Sequence, residues 1–191
     1  MIRRWIYCIS VAIATVVAGP LAGAQRIADW EIRPFAGYAV PTGAHRGAFN
    51  NAVMSGAEAG VRLTKDIDLV GSFAWQPSRG KYNVSERYAD VWIYNFGLER
   101  TFRDARPAGS PFIPFVGGGV GGRAYDFRSS SLTSSTCYSG YVNGGASYER
   151  GWSSVRFEVR DNVFCYKSPV GTLAEQAHNE IGILLGLGFR F

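Results

Sequence analysis

Gly182 to Phe191 reads GILLGLGFRF, and this stretch decides the fold. From Ile181 onward every odd position is large and apolar: Ile181, Ile183, Leu185, Leu187, Phe189 and Phe191. The even positions are Glu180, Gly182, Leu184, Gly186, Gly188 and Arg190. Side chains of a strand point alternately to two faces. Period two therefore predicts a β-strand with one apolar face and one face of glycine and charge. A helix needs a period of about 3.6, which GLGFRF does not supply.

The other end of the chain sets the compartment. Met1 to Ala24 carries Arg3 and Arg4, then an apolar run from Trp5 to Ala18, then Ala22-Gly23-Ala24 as a small-x-small cleavage site. This is the layout of a secretory signal peptide. Residues 1–24 are expected to be cleaved, leaving 25–191 as one domain. The apolar run is shorter than the roughly 20 residues of a spanning helix. Removing Arg3 and Arg4 leaves 18 basic and 15 acidic residues, too mild a balance to argue for nucleic acid. Of the 20 basic residues, 17 are Arg and three are Lys.

Seven earlier stretches share the terminal pattern: 30–40, 56–64, 67–76, 88–101, 112–125, 139–149 and 155–163. Each is close to the ~9–11 residues with which a tilted strand crosses a bilayer. The links after the second, fourth and sixth stretches are the shorter ones, and the other four are longer. Short turns at one end and long loops at the other suit an up-and-down barrel in a membrane.

Two all-β barrels fit this alternation. A soluble cup of the lipocalin kind shows its polar face to water, and a membrane barrel turns that face into its lumen. The polar face carries Glu31, Glu58, Glu99, Glu149, Glu158 and Glu180 against Arg33, Arg62, Arg123, Arg156, Arg160 and Arg190, with no Lys. A water-facing wall has no reason to exclude Lys. A narrow lumen does, because the planar guanidinium pairs with carboxylates where every charge must be satisfied. The apolar face carries no mid-strand charge on this reading, and its aromatics gather near the strand ends: Trp30, Tyr88, Trp92, Phe102, Tyr148, Trp152 and Phe191. Such girdles mark membrane interfaces. Arg100 has outward parity beside a turn, where it can snorkel. The expectation is an all-β, eight-stranded, antiparallel transmembrane barrel closed by the last strand zipping against the first.

As a set, the signal peptide, the eight alternating stretches, the loop asymmetry and the C-terminal aromatic resemble the small eight-stranded outer-membrane proteins of the OmpA and OmpX type. The resemblance covers nearly all of residues 25–191. It implies an outer-membrane location among lipid and lipopolysaccharide. It also implies that Leu187, Phe189 and Phe191 form the signal read by the barrel-assembly machinery. A monomer without cofactor is expected. Four long loops would carry surface interactions, with Arg46, Phe49, Arg79, Tyr82, Arg87, Phe127, Arg128, Tyr138 and Tyr166 as candidate contacts. No peptidoglycan-binding domain is expected after the barrel, so a tethering role is not implied.

Some such barrels deacylate lipid A with a histidine-centred set on the outer wall. AHNEIG offers His178, Asn179 and Glu180, but Glu180 stands where that set needs a serine, so His178 reads better as a solvated loop residue. His45 is a lone loop histidine. No close carboxylate cluster is expected, so no metal site is expected. A small channel is a third reading, opposed by twelve charges in one narrow lumen. GGGVGG (Gly117–Gly122) contains G-x-G-x-x-G, but no helix follows to supply phosphate binding. It reads as small residues lining the barrel. The sequon at Asn83 carries no weight in a bacterial-type protein. Cys137 and Cys165 lie at the loop end of neighbouring stretches in an oxidising compartment, and a disulfide is expected. Parity objects: Cys137 points inward and Cys165 outward, so a bulge or loop must reset the phase.

Overall fold

The computed structural model describes residues 29–43, 46, 49–79, 88–104, 110–127, 135–166 and 176–191. The expected signal peptide, His45, Asn83, Tyr82, Arg87 and Arg128 lie outside the described residues, as do the side chains of Arg79, Tyr88 and Tyr166.

Eight strands follow one another: β1 (Trp30–Thr42), β2 (Ala52–Arg62), β3 (Ile67–Arg79), β4 (Tyr88–Thr101), β5 (Phe112–Phe127), β6 (Ser135–Arg150), β7 (Ser153–Tyr166) and β8 (Gln176–Arg190). Each pairs antiparallel with the next, and β8 pairs with β1 to close the barrel. At the seam Trp30 N donates to the Phe191 carbonyl (3.4 Å) and Phe191 N to that of Trp30 (2.9 Å). Closure leaves no edge strand with unpaired backbone, which a bilayer would not tolerate.

The ladder partners trace a rising ring. Glu31, Gly60, Val70, Gly97, Gly119, Tyr141, Asn162 and Glu180 are successive partners, and Glu180 pairs back onto β1 at Pro41. The ring returns ten residues above its start, from 31 to 41. Eight strands with this stagger are strongly tilted, and the barrel is just wide enough for side chains to fill.

The terminal strand behaves as its pattern requires. Ile181, Ile183, Leu185 and Leu187 face outward and exposed, while Glu180, Gly182, Leu184, Gly186 and Gly188 face inward. The glycines are there for space. The stem of Arg33 lies across Gly186, whose hypothetical Cβ would meet its Cγ and Cδ at 2.9 Å. The Glu31 carboxylate and the Ser154 hydroxyl lie against Gly188. Around the barrel, Phe73, Phe96, Leu98, Val116, Val120, Phe157 and Leu185 are each more than half exposed. That makes an apolar outer wall such as lipid covers.

Three sequence expectations change. The strands run further at the end away from the termini: β2 begins at Ala52, β3 reaches Arg79, β6 begins at Ser135, and β8 begins at Gln176. Those four connections shrink to residues 43–51, 80–87, 128–134 and 167–175, none longer than the 102–111 link at the other end. The long-loop layout is thus blunter than the spacing implied. Ser, Thr and Gly in these extensions hid their strand character, since they are not the apolar residues that mark an alternating face. Among the described residues the outer wall also holds Asp161, on β7 between the exposed Val159 and Val163, against the expectation of no mid-strand charge. Finally, no disulfide joins Cys137 and Cys165. Ser139 pairs with Phe164, so Cys137 falls one residue out of line with Cys165. Cys137 packs inward on the apolar core and Cys165 is exposed outside. No bulge resets the phase.

Candidate functional site

The candidate site is the lumen, described from the end that holds Trp30 and Phe191 (the lower end) upward. All twelve charges of the polar face turn inward, and each lies within 4.0 Å of an opposite charge. Three more charges join them: Asp68, at inward parity near the start of β3, and two that strand parity does not supply, Asp29 just before β1 and Arg103 beyond the end of β4.

Ten of these side chains and the three additions form one alternating chain. Asp29 meets Arg62 (2.6 Å), Arg62 meets Asp68 (3.7 Å), Asp68 meets Arg103 (3.7 Å), and Arg103 meets Glu149 (4.0 Å). Glu149 pairs with Arg190, Arg190 with Glu31 (3.4 Å), Glu31 with Arg33 (3.2 Å), and Arg33 with Glu58. Glu58 then meets Arg160 (3.1 Å), Arg160 meets Glu158 (2.7 Å), Glu158 meets Arg156 (3.0 Å), and Arg156 meets Glu99 (2.5 Å). The run therefore goes from the lower rim to the centre without two like charges in sequence. Arg103 enters from a connection, and its guanidinium also donates to the Lys65 carbonyl (2.6 Å). Nearby, Lys65 Nζ donates to Asp104 (2.8 Å), which raises the lysine pKa.

At the centre, Glu58, Glu99 and Glu158 bring carboxylate oxygens within 4.8 Å of one another. This corrects the expectation of no close carboxylate cluster. β2, β4 and β7 are not neighbours, so spacing along the chain could not reveal it. The cluster is not arranged as a cation cage, because Arg33, Arg156 and Arg160 already occupy its oxygens. Asn143 donates to Glu99 (2.7 Å) and Arg160 to Ser72 (3.1 Å). Aromatic faces cover the cations: Arg156 lies over Phe115 (3.3 Å to the ring centroid) and Arg160 over Tyr141 (4.8 Å). Such desolvated charges persist only with full pairing and hydrogen bonding.

The glycines of β5 make the room. Gly117, Gly119 and Gly121 face inward. A Cβ on Gly117 would collide with Asn143 and Glu99, and one on Gly119 with the Gly97 Cα (2.6 Å) and the Tyr141 ring (2.8 Å). On the outer face, the Tyr94 ring lies over Gly122. GGGVGG is thus a floor for larger side chains, with no helix after it.

Above the charges the lumen turns apolar. Phe35, Ala39, Phe49, Met54, Ala74, Val91, Ile93, Tyr125, Phe164 and Leu184 form one buried cluster, against which Phe127 and Cys137 pack. One buried pair crosses it: Arg123 donates to Glu180 (2.7 Å), and Gln76 donates to the other Glu180 oxygen (2.9 Å). Arg123 also stands over Phe164 (3.9 Å), which stacks on His178. Phe49 and Phe127, expected among the exposed loop contacts, are part of this cap. Arg46 and Tyr138 are exposed.

His178 needs a second correction. It is neither a solvated loop residue nor part of an outer-wall site. It lies within β8 at an even, inward position and is 5% exposed. An outer-wall lipid A site thereby loses its histidine.

The sequence matches no family profile and no curated protein. Solved structures do resemble it in fold. Neisserial surface protein A (NspA) aligns over 85% of this chain and 97% of its own, with 14% identity and a TM-score of 0.64. OprG from Pseudomonas aeruginosa aligns over 88% and 98%, with 15% identity and a TM-score of 0.53. Ail, the attachment invasion locus protein of Yersinia pestis, aligns over 86% and 99%, with 15% identity and a TM-score of 0.51. The fold is that of the small eight-stranded outer-membrane barrels.

Proposed function

We propose that this chain is an outer-membrane barrel with a sealed lumen, serving as a rigid mount for its upper connections at the cell surface. The observation that carries this reading is the filling of the lumen: an unbroken chain of opposite charges below and an apolar cap above. A pore needs a continuous wet path, and here the charges are spent on one another. The apolar wall suits lipid and lipopolysaccharide. The outward face of Leu187, Phe189 and Phe191 suits a signal for the barrel-assembly machinery. Phe189 stacks on Trp152 (5.6 Å between ring centroids), and Phe191 is 73% exposed. One of the solved barrels of this fold is named for attachment and invasion, which agrees with a role in contacts outside the cell.

Planar-bilayer recording of the refolded protein tests the seal. A flat trace is expected. Discrete, voltage-stable openings from the unmodified chain would overturn the reading. For the surface role, replacing residues 80–87 and 167–175 by two-residue turns is expected to abolish adhesion to host cells while the folded band is retained.

A further inference from the structure

Among the described residues, Arg103 is the one cation of the lumen chain that no strand carries. Its guanidinium reaches in from the connection after β4 and bridges β3 to β6, three strands round the ring. It is seated on four oxygens. Nη1 donates to the Lys65 carbonyl (2.6 Å) and to the Thr101 hydroxyl. Nη2 lies between the carboxylates of Asp68 (3.7 Å) and Glu149 (4.0 Å). Neutral acceptors at one tip of a planar fork and carboxylates at the other suit a guanidinium, and an ammonium would fill only part of the seat.

The seat is built without Arg103. Thr101 N and Oγ1 both donate to the Asp66 carbonyl (2.8 and 3.4 Å), which ties the end of β4 to the turn between β2 and β3. The Thr101 hydroxyl, its proton so engaged, turns a lone pair to the guanidinium. Within the turn, Leu63 N and Thr64 N donate to the Ile67 carbonyl (2.9 and 3.1 Å), and Ile67 N donates to Thr64 Oγ1 (3.1 Å). These bonds hold the Lys65 carbonyl in place, and such preorganisation favours binding.

Arg103 is also free to leave. Asp68 keeps Arg62 (3.7 Å) and Glu149 keeps Arg190, so its departure strands neither carboxylate. Its ion contacts are longer than any on the run from Glu149 to Glu99, where none exceeds 3.4 Å, and its side chain is 22% exposed. Asp68 also lines a cavity of about 320 Å³, open at the rim, which Asp29, Arg62, Arg190 and Glu99 line with it. The seat is thus reached from water below. Without Arg103 the charge chain would hold seven carboxylates against five guanidiniums, which attracts a cation.

We propose that the lower mouth is a recognition site for a guanidinium group, filled in cis by Arg103 and taken in trans by an arginine side chain of a partner protein. That the partner belongs to the periplasm rests on the outer-membrane reading above, which turns the lower end to that side. Arg103 is an internal competitor. A partner arginine gains the four oxygens only by displacing it, so binding below and release of Arg103 are one event.

The refolded protein in lipid nanodiscs, titrated with N-acetyl-arginine amide and followed by ligand-observed NMR, tests this. Arg103→Ala is expected to bind the probe with a dissociation constant of about 1–10 mM, the scale of one small ionic group. The unmodified chain is expected to bind about tenfold more weakly, because its tethered Arg103 competes at millimolar effective concentration or above. N-acetyl-citrulline amide, the neutral isostere, is expected to bind neither. Adding Asp68→Asn to Arg103→Ala is expected to weaken the arginine probe roughly threefold, the scale of one partly exposed ion pair. No binding by Arg103→Ala would overturn the proposal. So would equal binding by the variant and the unmodified chain, equal binding of the citrulline probe, or no effect of Asp68→Asn. Arg103 lies outside the strands, so Arg103→Ala is expected to keep a compact unboiled band. Should it lose that band, Arg103→Lys, which keeps the charge and lacks the fork, takes its place and is expected to bind the probe more tightly than the unmodified chain does. A compact band without probe binding fails this proposal alone, and the absence of a compact band from the unmodified chain fails the barrel reading beneath it.

Discussion

Arg160→Met is expected to cost about 3–5 kcal/mol, the scale of breaking a buried ion pair from one side. Arg160 reaches Glu158 through Nε (2.7 Å) and Glu58 through a terminal nitrogen (3.1 Å), and donates to Ser72 (3.1 Å). Methionine fills much of the space and restores none of these bonds. Two carboxylates then lose a cation in a lumen that admits little water. The second expectation follows from the same geometry. Adding Glu158→Gln to Arg160→Met removes the surplus negative charge, since Glu158 then keeps only Arg156 (3.0 Å), and recovers a large part of the loss, because neighbours in one network are not additive. Urea unfolding in vesicles, read by tryptophan fluorescence, measures both. A loss below about 1 kcal/mol for the single variant would mean that water compensates the cluster.

Gly119→Ala is expected to prevent folding or to cost at least the ~1–3 kcal/mol of overpacking. The added methyl would meet the Phe96 carbonyl, the Gly97 Cα at 2.6 Å and the Tyr141 ring at 2.8 Å, and the first two are backbone that cannot step aside. Gly186→Ala makes a fair comparison. Its methyl meets the Arg33 stem at 2.9 Å, a flexible chain, and a milder loss is expected. Gly140→Ala, on the outer wall with its nearest neighbour at 3.7 Å, is expected to be close to neutral. The fraction of compact unboiled protein across the three variants should follow the order Gly140, Gly186, Gly119. Equal tolerance of all three would remove the packing account of the β5 glycines.

Much of this architecture was legible in the sequence because period two is a strict constraint. Once GILLGLGFRF is a strand with its odd positions outward, the same parity orients Glu58 against Ala57 and Ala59, and Arg156 against Val155 and Phe157. Parity gives a direction and no partner. That Glu58, Glu99 and Glu158 meet depends on tilt and stagger across the lumen, which no stretch of one strand encodes. Arg103 escaped because it lies past the end of β4, where alternation stops. The apolar cap escaped because Val91, Ile93, Phe164 and Leu184 sit in stretches apolar on both faces, where alternation is silent. Asp161 was legible by parity and passed over among its charged neighbours. His178 was hidden by a strand extension that Gln176 and Asn179 disguise as loop.

The seam between β1 and β8 has a topological meaning. Trp30 and Phe191 exchange backbone hydrogen bonds there, and Arg190 lies between Glu31 and Glu149 as if no chain break existed. The barrel is a ring of eight hairpin-linked strands cut at one point. Joining the two ends at the seam and reopening the chain within 80–87 or 128–134 would keep every ladder and every charge pair in place. The cut fixes instead the order in which the ring is made, since strands nearly the whole chain apart must meet last. Closure is therefore the slowest contact to gain, while its entropic cost grows only with the logarithm of that separation.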